Sequence, residues 1–312
     1  MPPVVEIEHL SMEYVTGFWR NKRAKSLVDV SLEVYEGEVF GFLGHNGAGK
    51  TTTLKILMRI VYPTGGTARI LGRPLDDLTM RRRIGYLPET PYFYDYLTGR
   101  ELLDYFGRLC GLDADQRAQR IRDMLALVSL QHAADRPLRK YSKGMLQRIG
   151  IAQALLHDPD VVFLDEPMTG LDPIGRREVR DIIAGLRDRG KTVFFSTHIL
   201  SDVEALCDRI AILKQGRRVA YGTLAEIQAG RSVTLEIVAT ETTPETVQAL
   251  EPYAARLRQT AAGLHCELKS ASQVSDAVAA LHHHGGRLVS ITPIKSALEE
   301  FFIRDEAVNE VA

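Results

Sequence analysis

Three glycines, a lysine and two threonines fall within Gly44-His45-Asn46-Gly47-Ala48-Gly49-Lys50-Thr51-Thr52. An apolar run precedes them (Val39, Phe40, Phe42, Leu43), and Leu54, Leu57, Met58 and Val61 follow at helical spacing. A phosphate-binding loop requires that context of strand, tight turn and helix. Glycine lets the backbone curl until its N–H groups converge on a phosphate chain, and the helix N-terminus adds partial positive charge. Lys50 is then placed to reach β- and γ-phosphates, and the Thr51 hydroxyl to ligate Mg²⁺.

Val161-Val162-Phe163-Leu164 reads as a strand buried on both faces, and two carboxylates, Asp165 and Glu166, follow it directly. Ligands of open α/β sheets bind at that carboxyl edge. Asp165 suits a place in a Mg²⁺ shell, and Glu166 suits a base that polarises water for in-line attack on a γ-phosphate. A second apolar strand, Thr192-Val193-Phe194-Phe195-Ser196-Thr197, ends at His198, where a group beside that phosphate is needed. Between loop and acids lies Tyr141-Ser142-Lys143-Gly144-Met145-Leu146-Gln147-Arg148, in which Ser142 reads as a helix N-cap.

In order and spacing these motifs resemble the ATP-binding cassette (ABC) ATPases from about residue 4 to residue 229. The resemblance implies that Gly44, Asn46, Gly47, Ala48, Gly49, Lys50, Thr51 and Thr52 form the Walker A loop. Asp165 becomes the Walker B aspartate, Glu166 the catalytic glutamate and His198 the switch histidine. Ser142 and Gly144 resemble the signature motif, and Asp172, in Thr169-Gly170-Leu171-Asp172, the D-loop aspartate. Tyr14 resembles the aromatic that stacks on adenine, with Phe18 and Trp19 as alternatives. ATP and Mg²⁺ are the implied cofactors, ATP hydrolysis the implied activity, and a second copy of the chain the implied partner, since two cassettes of this family close head to tail on two nucleotides.

Two positions depart from the family pattern. The signature, usually ending Gly-Gly-Gln, reads Lys143-Gly144-Met145 here, which keeps the serine hydroxyl and the helix-start amide. Where a glutamine loop is usual the chain has Pro88-Glu89-Thr90. Glu89 can still give Mg²⁺ one oxygen, but it adds negative charge beside the γ-phosphate and lacks amide donors. This Pro-Glu variant resembles ABC-2-type exporter ATPases, which implies export through a separate membrane-spanning permease subunit, with this chain peripheral on the cytoplasmic face of the cell membrane.

The elements that must position these groups are legible in outline. Val5 and Ile7, then Val28, Val30, Leu32 and Val34, alternate as flanking antiparallel strands. Residues 99–157 read as an inserted lobe of three helices, with Leu102, Leu103, Phe106 and Leu109, then Ile121, Leu125 and Val128, on apolar faces. Strand and helix alternate again from Val161 to Val219, so residues 1–229 are expected to form an α/β P-loop NTPase core. Residues 230–312 read differently, as a small β-α-β-β-α-β, ferredoxin-like α+β module closed by a helix at Leu298, Phe301 and Phe302. Its His282-His283-His284 beside Gly285-Gly286 reads as a helix C-terminus, and Arg81-Arg82-Arg83 as a solvated face.

The 39 basic and 40 acidic residues leave no general attraction to nucleic acid, so none is expected as a partner. Cys110, Cys207 and Cys266 are scattered without ligand spacing, which fits a reducing compartment. No stretch approaches a membrane span, and no signal-peptide layout opens the chain. A chromosome-maintenance relative needs a long coiled coil between Lys50 and Ser142, and a translation-factor relative needs two cassettes; neither is present in the sequence. An importer ATPase with a regulatory C-terminal module is the strongest alternative to export. Pro91-Tyr92-Phe93-Tyr94-Asp95-Tyr96-Leu97 suits either docking of a membrane partner or packing of the lobe on the core.

Overall fold

The computed structural model describes residues 2–16, 22–228, 234–260 and 263–295. Phe18, Trp19, Leu298, Phe301 and Phe302 lie outside the described residues. Two compact units divide the chain, Met1–Leu224 and Ala225–Ala312.

In the first unit, β1 (Val5–Thr16) and β2 (Lys22–Val34) form an antiparallel ribbon, followed by β3 (Val39–Leu43) and α1 (Lys50–Leu57). Next come β4 (Gly65–Ile70), β5 (Arg73–Pro74) and β6 (Ile84–Leu87), none of which the sequence reading marked as a strand. The lobe holds α2 (Gly99–Leu109), α3 (Ala114–Leu127) and α4 (Lys143–Leu155). The chain returns through β7 (Val161–Leu164), α5 (Pro173–Asp188), β8 (Thr192–Thr197), α6 (Leu200–Leu206), β9 (Arg209–Lys214) and β10 (Arg217–Thr223). A six-stranded sheet runs β10-β9-β3-β8-β7-β6, parallel except for β10, and a four-stranded antiparallel sheet runs β2-β1-β4-β5.

The parallel strands carry apolar side chains on both faces because both are covered. On β7, Val161 and Phe163 join a core with Val5, Ile7 and Leu32 of the antiparallel sheet, while Val162 and Leu164 join another with Leu102, Leu125 and Ile149 of the lobe. Phe194 of β8 is the hub of the first core, with ring centroids 5.2, 5.3 and 5.6 Å from those of Phe40, Phe42 and Phe163.

Three details differ from the sequence reading. α1 stops at Leu57 although the apolar spacing continues to Val61, because Arg59 takes φ 57 and turns the chain. Leu109, expected on an apolar face, is exposed at the end of α2. α4, expected to be amphipathic, is buried from Gln147 through Ala152, and a Cβ on Gly150 would lie 2.6 Å from Leu87 of β6. Tertiary packing on both sides, not helical periodicity, sets its composition.

After α7 (Leu224–Gln228), which begins at the last residue of the first unit, the second unit holds β11 (Thr234–Thr240), α8 (Pro244–Leu250), β12 (Ala254–Thr260), β13 (Gly263–Leu268), α9 (Val274–His283) and β14 (Arg287–Lys295). The sheet order β12-β13-β11-β14, antiparallel throughout, is the ferredoxin-like arrangement. α8 begins earlier than the apolar spacing from Val247 suggests, since Thr243 caps it and Pro244 opens its first turn. The histidine run ends α9: Gly285 takes φ 75, and the Gly285 and Gly286 amides return to the carbonyls of His282 and Leu281 at 3.1 and 3.0 Å.

Candidate active site

Between β3 and α1 the chain makes a turn that only bare backbone can follow. A Cβ on Gly44 would lie 2.6 Å from the Leu213 carbonyl oxygen, and one on Gly49 equally close to the Ser26 carbonyl. Gly47 and Gly49 take φ 81 and 108, and Gly49 is the residue from which α1 starts. Lys50 Nζ, buried, donates to the carbonyls of Gly44 at 2.6 Å and His45 at 3.2 Å. Ser26, Asn46, Gly47, Gly49, Lys50, Thr51, Thr52, Glu89 and Glu166 line a depression of about 290 Å³ beside this loop.

The carboxyl end of β7 delivers the acids into the same place. Asp165 Oδ1 accepts from the Ser196 hydroxyl at 2.6 Å and from the Thr51 hydroxyl at 3.2 Å. Glu166 sits at φ 49, a left-handed conformation costly for a side chain of this size, and its N–H donates to Ser196 Oγ at 2.9 Å. Its Oε2 accepts from the Thr169 hydroxyl at 2.7 Å and faces His198 Nδ1 at 2.9 Å, so the tautomer protonated at Nδ1 donates to it. Its Oε1 lies 3.1 Å from Lys50 Nζ, an ion pair without hydrogen-bond alignment.

The two carboxyls are pushed apart. Burial raises Asp165 above the usual carboxylate range, against the Ser196 and Thr51 hydroxyls and Lys50. Burial also pushes Glu166 up, but the Thr169 hydroxyl, Lys50 and His198 together outweigh it and leave Glu166 below the usual value. Glu166 is therefore an ionised acceptor at neutral pH. Tyr86 behind them is pushed up to about 12 by burial and by the charges of Asp165 and Glu89.

Lys50, Thr51, Glu89, Asp165, Glu166 and His198 are thus assembled around one loop. Ser142, Gly144 and Asp172 are not among them. They line a separate hollow of about 360 Å³, with Lys143, Arg148, Gly170 and Glu178, and no residue lines both spaces. Ser142 caps α4, as its sequence context predicts, accepting from Met145 N at 3.3 Å, and Asp172 caps α5, accepting from Gly175 N at 2.6 Å. Tyr14, half-buried on β1 opposite Ala24, packs against the antiparallel-sheet core and is absent from the described lining of the first depression.

Sequence reasoning missed Ser26, Thr169 and Ser196 as site residues. The Ser26 hydroxyl reaches Thr52 Oγ1 at 2.8 Å from β2, a distant strand with nothing in its pattern to mark it. Ser196 did leave a signal, a hydroxyl inside an apolar strand that ends at His198. Asp202 on α6 went unremarked too; it is fully buried, neither oxygen has a hydrogen bond, and Arg180 Nε stands 3.9 Å away.

The oxygens at the loop fit a hard divalent cation. Asp165 Oδ2 is buried with no hydrogen-bond partner, and the Thr51 hydroxyl stands against the same carboxylate.

The ABC transporter family profile matches residues 27–169. The ABC transporter ATP-binding protein sll0415 of Synechocystis sp. is 48% identical over 303 residues, 96% of this chain and 84% of its own length. The chain belongs to the ABC transporter ATP-binding family. The cassette is accordingly an ATPase that binds nucleotide, the ATP-binding subunit of a transporter. It is also 40% identical to the Nod factor export ATP-binding protein I of Burkholderia lata, over 62% of this chain and 64% of that one. Among solved structures, the dimeric post-hydrolysis cassette MJ0796 bound to ADP and Pi matches with a TM-score of 0.64 at 26% identity, covering 70% of this chain and 98% of that one. No helix of the described residues is long and apolar enough to cross a membrane.

Proposed function

We propose that the cassette drives export through a separate membrane-spanning permease, with two copies closing head to tail on two ATP molecules at the cytoplasmic face of the cell membrane. One observation carries the catalytic part: Glu166 has one oxygen fixed by Thr169 and His198 and the other turned to Lys50. Phosphate oxygens entering the loop compete for the Lys50 ammonium and free Oε1 to accept a proton from the attacking water. His198, held through Nδ1, keeps Nε2 for the γ-phosphate. Thr51, Asp165 and Glu89 are the residues that would hold Mg²⁺, which when bound with the nucleotide would neutralise phosphate charge.

The separation of Ser142, Gly144 and Asp172 from the loop supports completion of each site by a second copy, as does the dimeric state of the solved relative. Export is favoured by the Nod factor relative and by Pro88-Glu89. Glu166→Gln should bind ATP, accumulate as an ATP-loaded dimer and turn over at least a hundredfold more slowly, a barrier increase of about 3 kcal/mol. Turnover within threefold of wild type would remove Glu166 from its role. Identification of the membrane chain that co-purifies, and the direction of substrate movement in sealed vesicles, tests export; uptake into the cytoplasmic side would overturn it.

A further inference from the structure

Between α5 and α6 four polar atoms are buried with no hydrogen-bond partner among the described residues: both oxygens of Asp202 and the Nε groups of Arg176 and Arg180. Asp202 is fully buried in the first turn of α6, and Arg176 and Arg180, four residues apart, share one face of α5. Arg180 Nε stands 3.9 Å from Asp202 Oδ1, about 1 Å beyond the length of a charge-assisted hydrogen bond. A neutral side chain of the same shape serves stability better than a buried charge so poorly satisfied. The use of that charge therefore points outside folding.

The active site lies one short connection away. His198 follows the last residue of β8, the Ile199 amide donates to Thr197 Oγ1 at 3.1 Å, and α6 begins at Leu200. Ser142 and Asp172 cap α4 and α5, but Ile199 stands at the corresponding position of α6, and its apolar side chain cannot cap a helix. Asp202, four residues after His198, supplies an anchor from the side instead, through its attraction to two arginines of α5. His198 and Glu166 are both near enough for their charges to act on Asp202, His198 attracting it and Glu166 opposing it. The His198 ring is itself partly exposed, so the direction in which it reaches Glu166 depends on how the backbone behind it is held.

We propose that Asp202 is a positioning residue for His198: its charge, facing Arg176 and Arg180, ties α6 to α5 and fixes the backbone from which the imidazole reaches Glu166 and the terminal phosphate of ATP. The inference rests on the role given to His198 above and extends it one element outward.

Steady-state ATPase kinetics and thermal unfolding of the full chain at pH 8 test it. Asp202→Asn keeps the shape and removes the charge; kcat should fall about tenfold with KM for ATP within twofold, although the variant unfolds at no lower temperature than wild type. Asp202→Glu keeps the charge and lengthens its reach by one methylene, and should hold kcat within threefold of wild type. His198→Ala alone should cost at least thirtyfold in kcat. Adding Asp202→Asn to it should cost nothing further, because the ring that Asp202 positions is gone. A wild-type kcat in Asp202→Asn would overturn the proposal. So would a tenfold loss that persists in the His198→Ala background, or a loss in Asp202→Glu as large as that in Asp202→Asn, which would make the position a matter of packing. A His198→Ala variant as active as wild type would show that the reading of His198 has failed and the role of Asp202 with it, whereas an impaired His198→Ala beside an unimpaired Asp202→Asn would remove only Asp202.

Discussion

Ser196 shows how much of the active site rests on a residue that does no chemistry. Its one hydroxyl donates to Asp165 and accepts from the Glu166 amide, so it fixes both acids at once and holds Glu166 in its left-handed conformation. The side chain is fully buried. Ser196→Ala should therefore cost about 1–3 kcal/mol of stability through the unpaired amide and carboxylate. It should also lower kcat while leaving ATP affinity within threefold, since Lys50 and the loop amides are untouched. Calorimetry and steady-state kinetics on the same variant check both, and a protein as stable and active as wild type would show that the bridge is dispensable.

At the scale of elements, α5 and α6 meet over a buried charge. Burial pushes Asp202 above the usual carboxylate range although Arg176 and Arg180 of α5 pull it down. A carboxyl raised on folding favours the folded state in its protonated form, so its contribution is complete below its unfolded value and is lost as pH rises through its folded value. Asn is neutral throughout. Asp202→Asn should thus gain several degrees in Tm relative to wild type at pH 8 and gain little or nothing at pH 4; an equal difference at both would refute the assignment.

The segment ahead of α2 raises a different question at the same scale. Tyr92 and Tyr94 are 93% and 51% exposed, and among the described residues the Tyr94 ring meets only the rings of Tyr96 and Tyr105, at 5.8 and 6.2 Å between centroids, both of which are themselves exposed. Phe93 alone among the four packs on the lobe core. The Tyr92→Ala, Tyr94→Ala double variant should unfold within about 1 kcal/mol of wild type, as surface substitutions do. Its co-purification with the membrane chain should fall, and normal assembly would sink the docking role.

For the whole molecule, the decisive feature is that one copy holds the two halves of the proposed site in separate hollows. A Lys50→Ala subunit retains an intact Ser142 hollow, and a Ser142→Arg subunit retains an intact loop. Each variant alone should lose at least nine-tenths of its ATPase activity. An equimolar mixture should recover part of it, because half of the mixed dimers' sites combine an intact loop with an intact hollow. Activity independent of protein concentration in a verified monomer would rule out completion in trans.

What the sequence determined by itself was whatever depends on short range. The loop, the acids after β7 and the cap at Ser142 are legible because each lies within a few residues of the turn or helix end that gives it meaning. The β-α-β-β-α-β order of the second unit is legible for the same reason, through alternating strands and helically spaced apolar residues. Only the tertiary structure decided which residues meet across the sheet. Register places Leu164 beside Phe195, one residue before Asp165 and Ser196, and so sets the hydroxyl bridge 31 positions away in sequence. The same packing buries α4 from Gln147 through Ala152, where periodicity pointed otherwise. The acidities of Asp165 and Glu166 shift in opposite directions for that reason too: a pair adjacent in sequence meets different partners once strands β7 and β8 fix where each oxygen points.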